Sequence, residues 1–424
     1  MEIASSQVTI KRRNVALWLI IFLFYLVMEL SYYFFIFPYH GYNGYLYEFD
    51  ISRFLVAKLF FLFEIFFIHL FIRNLFLFGF SYLLIGLFLC PNLILYQYMD
   101  SPPYLFLGIG SIPIFLGLMK NVTLRFKFPR ISARRQNIAL VIISLILLIP
   151  FLYAFGLNLN FGLLNLETVY IYRKEIADMG NILTSYLYSW LSYWIFPFLI
   201  LIGINDKKKG LLILGLFGML YLFFATGNKI TFFLVFAAIG FSFFNTIYKK
   251  VFFFYLFLTT LFLSGLLIAL FYEINFVQDF LVGRFLFLPA LLNIQYHEYF
   301  EGEKLMLSYS FLSFLNEYPY HILPARLIGM EYYLPETNST NGIISDGYIN
   351  FGVPGIFIFT FLASLIVLYS SQMRLSSKFF GVYFILLLIY MESAFFTSLL
   401  THGIVFFLLL STFFLRDTNE QSGN

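Results

Sequence analysis

Residues 272–355 read YEINFVQDFLVGRFLFLPALLNIQYHEYFEGEKLMLSYSFLSFLNEYPYHILPARLIGMEYYLPETNSTNGIISDGYINFGVPG, the single long polar interruption in a chain of nearly continuous hydrophobic runs. Nine carboxylates (Glu273, Asp279, Glu298, Glu301, Glu303, Glu317, Glu331, Glu336, Asp346) face three cations there (Arg284, Lys304, Arg326). Two of the five histidines, His297 and His321, fall in the same stretch. A connection of this length is normally functional or disordered. High apolar and aromatic content without low-complexity sequence argues against disorder. The stretch therefore reads as a folded cap over a site.

Working outward, the composition excludes a soluble protein: 61% of residues are hydrophobic and 11% charged, with a mean hydropathy of +0.87. Runs of about 20 apolar residues, enough to cross a bilayer core, recur along the chain. The expected fold is an all-α polytopic membrane protein of about twelve transmembrane helices, with one large extracytoplasmic loop carrying short helices. Spans are expected near 14–37, 54–72, 75–96, 104–119, 138–157, 185–204, 211–225, 230–247, 251–271, 355–370, 379–397 and 402–415. This divides the chain into a scaffold (1–271), the loop (272–354) and the C-terminal spans with a tail (355–424). The first span follows Lys11-Arg12-Arg13 without a small-residue cleavage site, so it reads as a retained helix. The lone Cys90 excludes an internal disulfide. Trp18, Trp190 and Trp194 lie near span ends, where interfacial anchors belong.

Charge sets the expected orientation. Eighteen of the 26 basic residues fall on alternate loops, including the run Lys120/Arg125/Lys127/Arg130/Arg134/Arg135 and the run Lys207-Lys208-Lys209. By the positive-inside bias that face is cytoplasmic, with both termini on it. The same bias accounts for the basic run near 120–135 without nucleic acid. The net charge of +4 sits on the face where anionic lipid headgroups attract it.

The informative cations are those on the other face: Arg53, Arg173, Lys174, Lys229, Arg284, Lys304 and Arg326. A guanidinium forks onto phosphate and stays charged at any relevant pH. Arg284 precedes FLFLPALL, a segment apolar enough to lie in the interface or re-enter the membrane. There it would meet a lipid-linked phosphate, unless it merely snorkels or pairs with Asp279. Arg326, Lys229 in the turn Thr226-Gly227-Asn228-Lys229, and Arg173 are further binding candidates. His321, Glu298 and Asp346 are candidate proton acceptors. Tyr296 and the other loop tyrosines offer flat faces to sugar rings, and Asn341 lies in the turn Asn338-Ser339-Thr340-Asn341-Gly342. His297-Glu298-Tyr299-Phe300-Glu301 lacks a second histidine four residues on, so no metal is expected. Glu29, Lys58, Glu64, His69 and Glu392 are ionisable residues inside spans, where charge is expensive and marks a pathway or a buried pair.

Three places resemble the Wzy-type oligosaccharide repeat-unit polymerases, which build bacterial O-antigen or capsular polysaccharide. They are ATGNK (225–229), GRFLFLPALLNIQYHEYF (283–300) and TNSTNGIISDGYINFGVPG (337–355). The first departs from the family in carrying Lys229 where an arginine is usual, and an ammonium does not fork onto phosphate. The resemblance implies a metal-independent, GT-C-like glycosyltransferase of the bacterial cytoplasmic membrane that needs no cofactor. Its substrate would be an undecaprenyl-pyrophosphate-linked oligosaccharide, and its partners membrane lipids and a chain-length regulator protein. Arg284 and Arg326, helped by Lys229, would neutralise the pyrophosphate leaving group. His321, Glu298 or Asp346 would take the acceptor hydroxyl's proton. An O-antigen ligase shares this architecture with a different acceptor. A flippase or ion-coupled transporter would instead show internal repeats and broken helices with polar residues at mid-membrane.

Overall fold

The computed structural model describes residues 2–123, 131–157, 180–228, 230–335, 337–373 and 377–414. Among them the chain is helical, without strands. In order come α1 (Val15–Asn43), α2 (Ile51–Phe71), α3 (Leu75–Tyr98), α4 (Pro103–Asn121), α5 (Ala133–Phe155), α6 (Ile182–Asn205) and α7 (Lys209–Thr226). Then follow α8 (Ile230–Ser242), α9 (Ile247–Tyr272), α10 (Val277–Tyr299), α11 (Pro324–Tyr332), α12 (Ile343–Gln372), α13 (Gly381–Glu392) and α14 (Phe395–Phe413). Eleven of these are long and apolar enough to cross a membrane. The architecture is that of a multi-pass helical membrane protein.

Local signals start the helices where the sequence supplies them. The Asp50 carboxylate accepts the Arg53 N–H at 2.9 Å and caps α2. Asn74 caps α3 through the N–H groups of Phe76 and Leu77. Asn181 and Thr184 form a reciprocal capping box at α6. Helices occupy all twelve expected intervals, but α8 and α13 run only 13 and 12 residues. The additional helix is α10, inside the stretch expected to be loop.

The chain forms two compact units. The first holds residues 1–122, 248–367 and 390–395. Here α2 runs antiparallel to α1, with Trp18 against His69 (rings 5.1 Å apart) and Lys58 against Glu29. Helix α3 runs parallel to α1: Trp18 donates to Tyr82 Oη and Tyr25 to Gln97 Oε1. Helix α4 runs alongside α2, with Gly110 opposite Glu64 and Gly117 opposite Phe67. The C-termini of α1 and α3 and the N-termini of α2 and α4 thus share one end of this unit.

Helix α10 is fastened to that end at both of its own ends. Asp279 pairs with His40 at 2.9 Å, close to the end of α1. Eighteen residues on, His297 Nε2 shares a hydrogen bond with Tyr104 Oη at the start of α4. Between them Phe287 meets Tyr32 (5.4 Å) and Gln295 donates to the Asn43 carbonyl (3.2 Å). A helix held at one face by both ends lies across that face and does not run through the unit. Spanning length here does not mean that the helix crosses the unit.

Helix α12 is a hairpin. Gly352 takes φ 65° and ψ −149°, a region essentially reserved for glycine. Pro354 lacks the N–H that would continue the ladder. Tyr348 stacks on Tyr104, and Ile344 packs deeper, at Gly108. Beyond the break the chain descends again: Ile356 meets Gly108, Thr360 bonds Ser111 at 2.9 Å, and Phe361 meets Phe115. The two arms approach so closely that a Cβ on Gly347 would fall 2.6 Å from the Gly355 carbonyl oxygen. The loop exploits the break, because Leu305 and Met306 donate their N–H groups to the freed carbonyls of Ile349 and Asn350. Met306 and Leu307 adopt φ of 48° and 66° to do so. The irregular part of the expected loop therefore contracts to 300–342, with α11 inside it.

The second unit holds residues 123–247, 368–389 and 396–424. Trp190 and Trp194 lie well inside α6 and correct the expectation of interfacial anchors. They donate to the carbonyls of Leu400 (3.1 Å) and His402 (2.7 Å), where α14 breaks at Gly403 (φ 72°). An indole N–H inside the protein satisfies a carbonyl that the broken helix leaves free. Arg125, Lys127, Arg130, Arg374 and Arg416 of the expected cytoplasmic face lie outside the described residues.

Candidate functional site

The site is built on α10 and on the α12 hairpin, both in the first unit. The N-terminal half of α10 is π-helical from Val277 to Phe287. This widened turn is common at functional positions. It leaves Arg284 exposed, and among the described residues no carboxylate lies within ion-pair distance of its guanidinium. The alternative partner, Asp279, is held by His40. Arg284 still acts electrostatically on Glu392, a half-buried carboxyl at the last residue of α13. The sequence marked Glu392 as an ionisable residue in a span but gave it no part in the site. What singles it out is its place at a helix end, before the helix break at Ser393 and Ala394, within electrostatic range of a cation from another element.

The polar side chains of the C-terminal half of α10 bond to other elements. Asn293 donates to Asn92 Oδ1 (3.1 Å), and Gln295 accepts from Tyr333 Oη (3.0 Å). Tyr296 donates to the Ser339 carbonyl (3.2 Å), and Glu298 accepts from Tyr332 Oη (3.3 Å). Tyr296 is fully buried in this role, so its ring offers no face to a sugar and the binding assignment is corrected. The exposed carboxylate of Glu298 joins α10 to α11.

Asp346 is likewise corrected. It is 1% exposed and its carboxylate accepts from Tyr309 Oη, Asn350 Nδ2 (3.1 Å) and the N–H of Phe395 (2.7 Å). Asn341 bonds it as well. Phe395 opens α14, so its N–H is an orphan donor that Asp346 satisfies inside the protein. Enclosed by donors, Asp346 locks the loop, the hairpin and the start of α14 together and does not face a substrate. Asn341 is buried in the same lock, with its Oδ1 unpartnered among the described residues.

His321 and Arg326 are both exposed, on the loop and on α11. Arg326 has no ion pair among the described residues, and His321 has no hydrogen bond there to orient it as a base. His297, read only as part of a failed metal pattern, is better held. Its Nε2 bonds Tyr104, its ring packs on Tyr348 (4.6 Å), and Nδ1 is buried without a partner. Lys304 lies over the other face of this cluster, 3.9 Å from the Tyr348 ring centre, and burial pulls its ammonium below the ordinary lysine value. Lys229, Arg173 and Lys174 lie outside the described residues. No group of three metal-ligating side chains occurs among the described residues.

No protein-family model matches the chain, and no curated protein or solved structure matches it either.

Proposed function

We propose that the protein is a glycosyltransferase that joins undecaprenyl-pyrophosphate-linked oligosaccharide repeat units into a longer glycan. The observation that carries this reading is Arg284: an exposed guanidinium on a helix that lies across one end of its unit, without a carboxylate at ion-pair distance. Such a group has its full bidentate capacity free for a phosphate at the headgroup level. Arg326 is the second exposed cation of the same cap. In the reaction the acceptor hydroxyl oxygen bonds to the anomeric carbon of the donor. The bond from that carbon to the pyrophosphate oxygen breaks, and the leaving group keeps the electron pair. Arg284 stabilises that developing charge. Glu392, facing Arg284, takes the hydroxyl proton and replaces Asp346 in that role. The face on which this occurs is the extracytoplasmic one if the positive-inside bias holds, with membrane lipids around it and a chain-length regulator as a partner.

The test uses full-length protein reconstituted with a purified undecaprenyl-pyrophosphate-linked repeat unit, with products resolved on a gel. A ladder of multimers from wild type, lost in Arg284→Ala and strongly reduced in Arg284→Lys, is the expected result. No ladder from folded wild type given competent substrate overturns the polymerase reading. The broken hairpin of α12 and the intramembrane Glu64 favour a second reading, a transporter of the same lipid-linked substrate. It predicts movement of a labelled lipid-linked oligosaccharide across vesicle bilayers with no new glycosidic bond.

A further inference from the structure

Glu29 and Glu64 both sit within the helical core of the first unit, and their surroundings differ completely. Glu29 on α1 is paired with Lys58 at 2.6 Å and accepts from Gln97 Nε2 (3.1 Å) and Tyr98 Oη (3.0 Å). Tyr25 closes that network, donating to Gln97 while its ring lies 4.0 Å below the Lys58 ammonium. Glu64 on α2 is 0% exposed, and neither of its carboxyl oxygens has a partner among the described residues. It sits in the run Phe60-Phe61-Leu62-Phe63-Glu64-Ile65-Phe66-Phe67. Room for it comes from Gly110 on α4, where a Cβ would fall 2.8 Å from Oε1 and 2.5 Å from the Phe60 ring.

Among the described residues, none of the charged or titratable groups on the neighbouring helices bonds Glu64. Lys58, on the same helix, is held by Glu29. His69, also on α2, packs edge-on to Trp18, and Lys120 lies over Phe71. From α3, Tyr82 accepts from Trp18, Tyr98 donates to Glu29, Tyr96 packs on Phe106, and Cys90 is buried. Tyr104 of α4 bonds His297. A carboxylate without counter-charge or donors is far costlier to bury than the neutral acid. A metal cation would need several further oxygen ligands, and no cluster of metal-ligating side chains is found among the described residues.

We infer that Glu64 is a proton-binding site within the helix bundle, its side chain holding an exchangeable proton as a carboxylic acid at neutral pH. The inference is independent of the donor chemistry proposed above and stands whichever reading of the activity holds. Gly110 acts as the positioning residue that leaves the acid its space.

Infrared spectra of the purified full-length protein in lipid, wild type minus Glu64→Gln at pH 7, decide it. The expected difference is a carbonyl stretch of a protonated carboxyl, present in wild type, absent in the variant and shifted after incubation in D2O. Loss of carboxylate stretches in place of the acid band overturns the inference. An acid band that never shifts in D2O overturns the exchangeable site. If Glu64→Gln does not fold, Glu64→Asp supplies the comparison. The acid band then moves with the altered side chain, and an unmoved band assigns it to another residue and overturns the proposal.

Discussion

The two halves of α10 show opposite uses of polar side chains. From Asn293 to Glu298, each polar side chain is bonded to a different element: α3, the end of α1, the loop, α4 and α11. From Val277 to Phe287 the helix is wide; Gln278 and Asp279 are bonded to Phe262 and His40, but its one cation, Arg284, is exposed with no carboxylate at ion-pair distance among the described residues. Bonded side chains fix position, because a buried polar group left unpaired carries a desolvation penalty. An exposed cation without an ion pair retains binding capacity. Polar residues close in sequence therefore fall into a holding set and a candidate acting set, and only their partners tell them apart.

Substitutions should divide along the same line. The largest effect is expected in the holding set at Asp346→Ala, which takes the acceptor from the Tyr309 hydroxyl and the Phe395 N–H at once. A loss on the order of 3 kcal/mol or more is expected, seen as a large fall in thermal midpoint in detergent. An unchanged midpoint would mean that Asp346 is not the lock. Next comes Gly352→Ala. A Cβ there meets only Lys304 Cε at an ordinary 3.5 Å, so the expected cost of about 1–3 kcal/mol is backbone strain at φ 65° and not a clash. Substitution of Gly352 by D-alanine, which favours positive φ, should restore most of it; failure to do so would assign the cost to crowding.

A smaller effect is expected at the joint between the two sets. His40→Ala removes a partly exposed pair with Asp279, worth up to about 1 kcal/mol. It also frees Asp279 on the helix that bears Arg284. If Asp279 then competes for that guanidinium, the Michaelis constant for the lipid-linked donor rises while the thermal midpoint barely moves. An unaltered constant would show that the pairing has no bearing on Arg284. The smallest effect on stability belongs to Arg284→Ala, within about 0.5 kcal/mol of wild type, as for an exposed residue without an ion pair. A large fall in its midpoint would move Arg284 into the holding set.

How much of this was legible in the sequence depends on the range of the interaction. Apolar runs of bilayer length located helices in every expected interval, since burial of a helix in lipid depends on local composition alone. The caps Asp50, Asn74 and Asn181 act within three residues of themselves, yet the apolar runs alone set the expected starts. The span expected near 355–370 is the second arm of the α12 hairpin. Its first arm was hidden, because Ile343 to Phe351 is too short to signal a span. Arg284 stood out since no apolar segment keeps an arginine without reason. Its freedom from Asp279 did not, for that rests on His40, 239 residues away.

The sequence by itself determined an all-helical membrane protein, the positions of its apolar runs and the identity of its unusual cations. Those follow from chain-local quantities: hydropathy, capping and charge. Tertiary structure alone decided that α10 lies across one end of its unit, that Asp346 is a lock, and that Glu29 is neutralised while Glu64 is not. Each of these is a question of which group a buried polar atom meets. A carboxyl reads the same in the sequence whether the facing helix presents a lysine or a glycine.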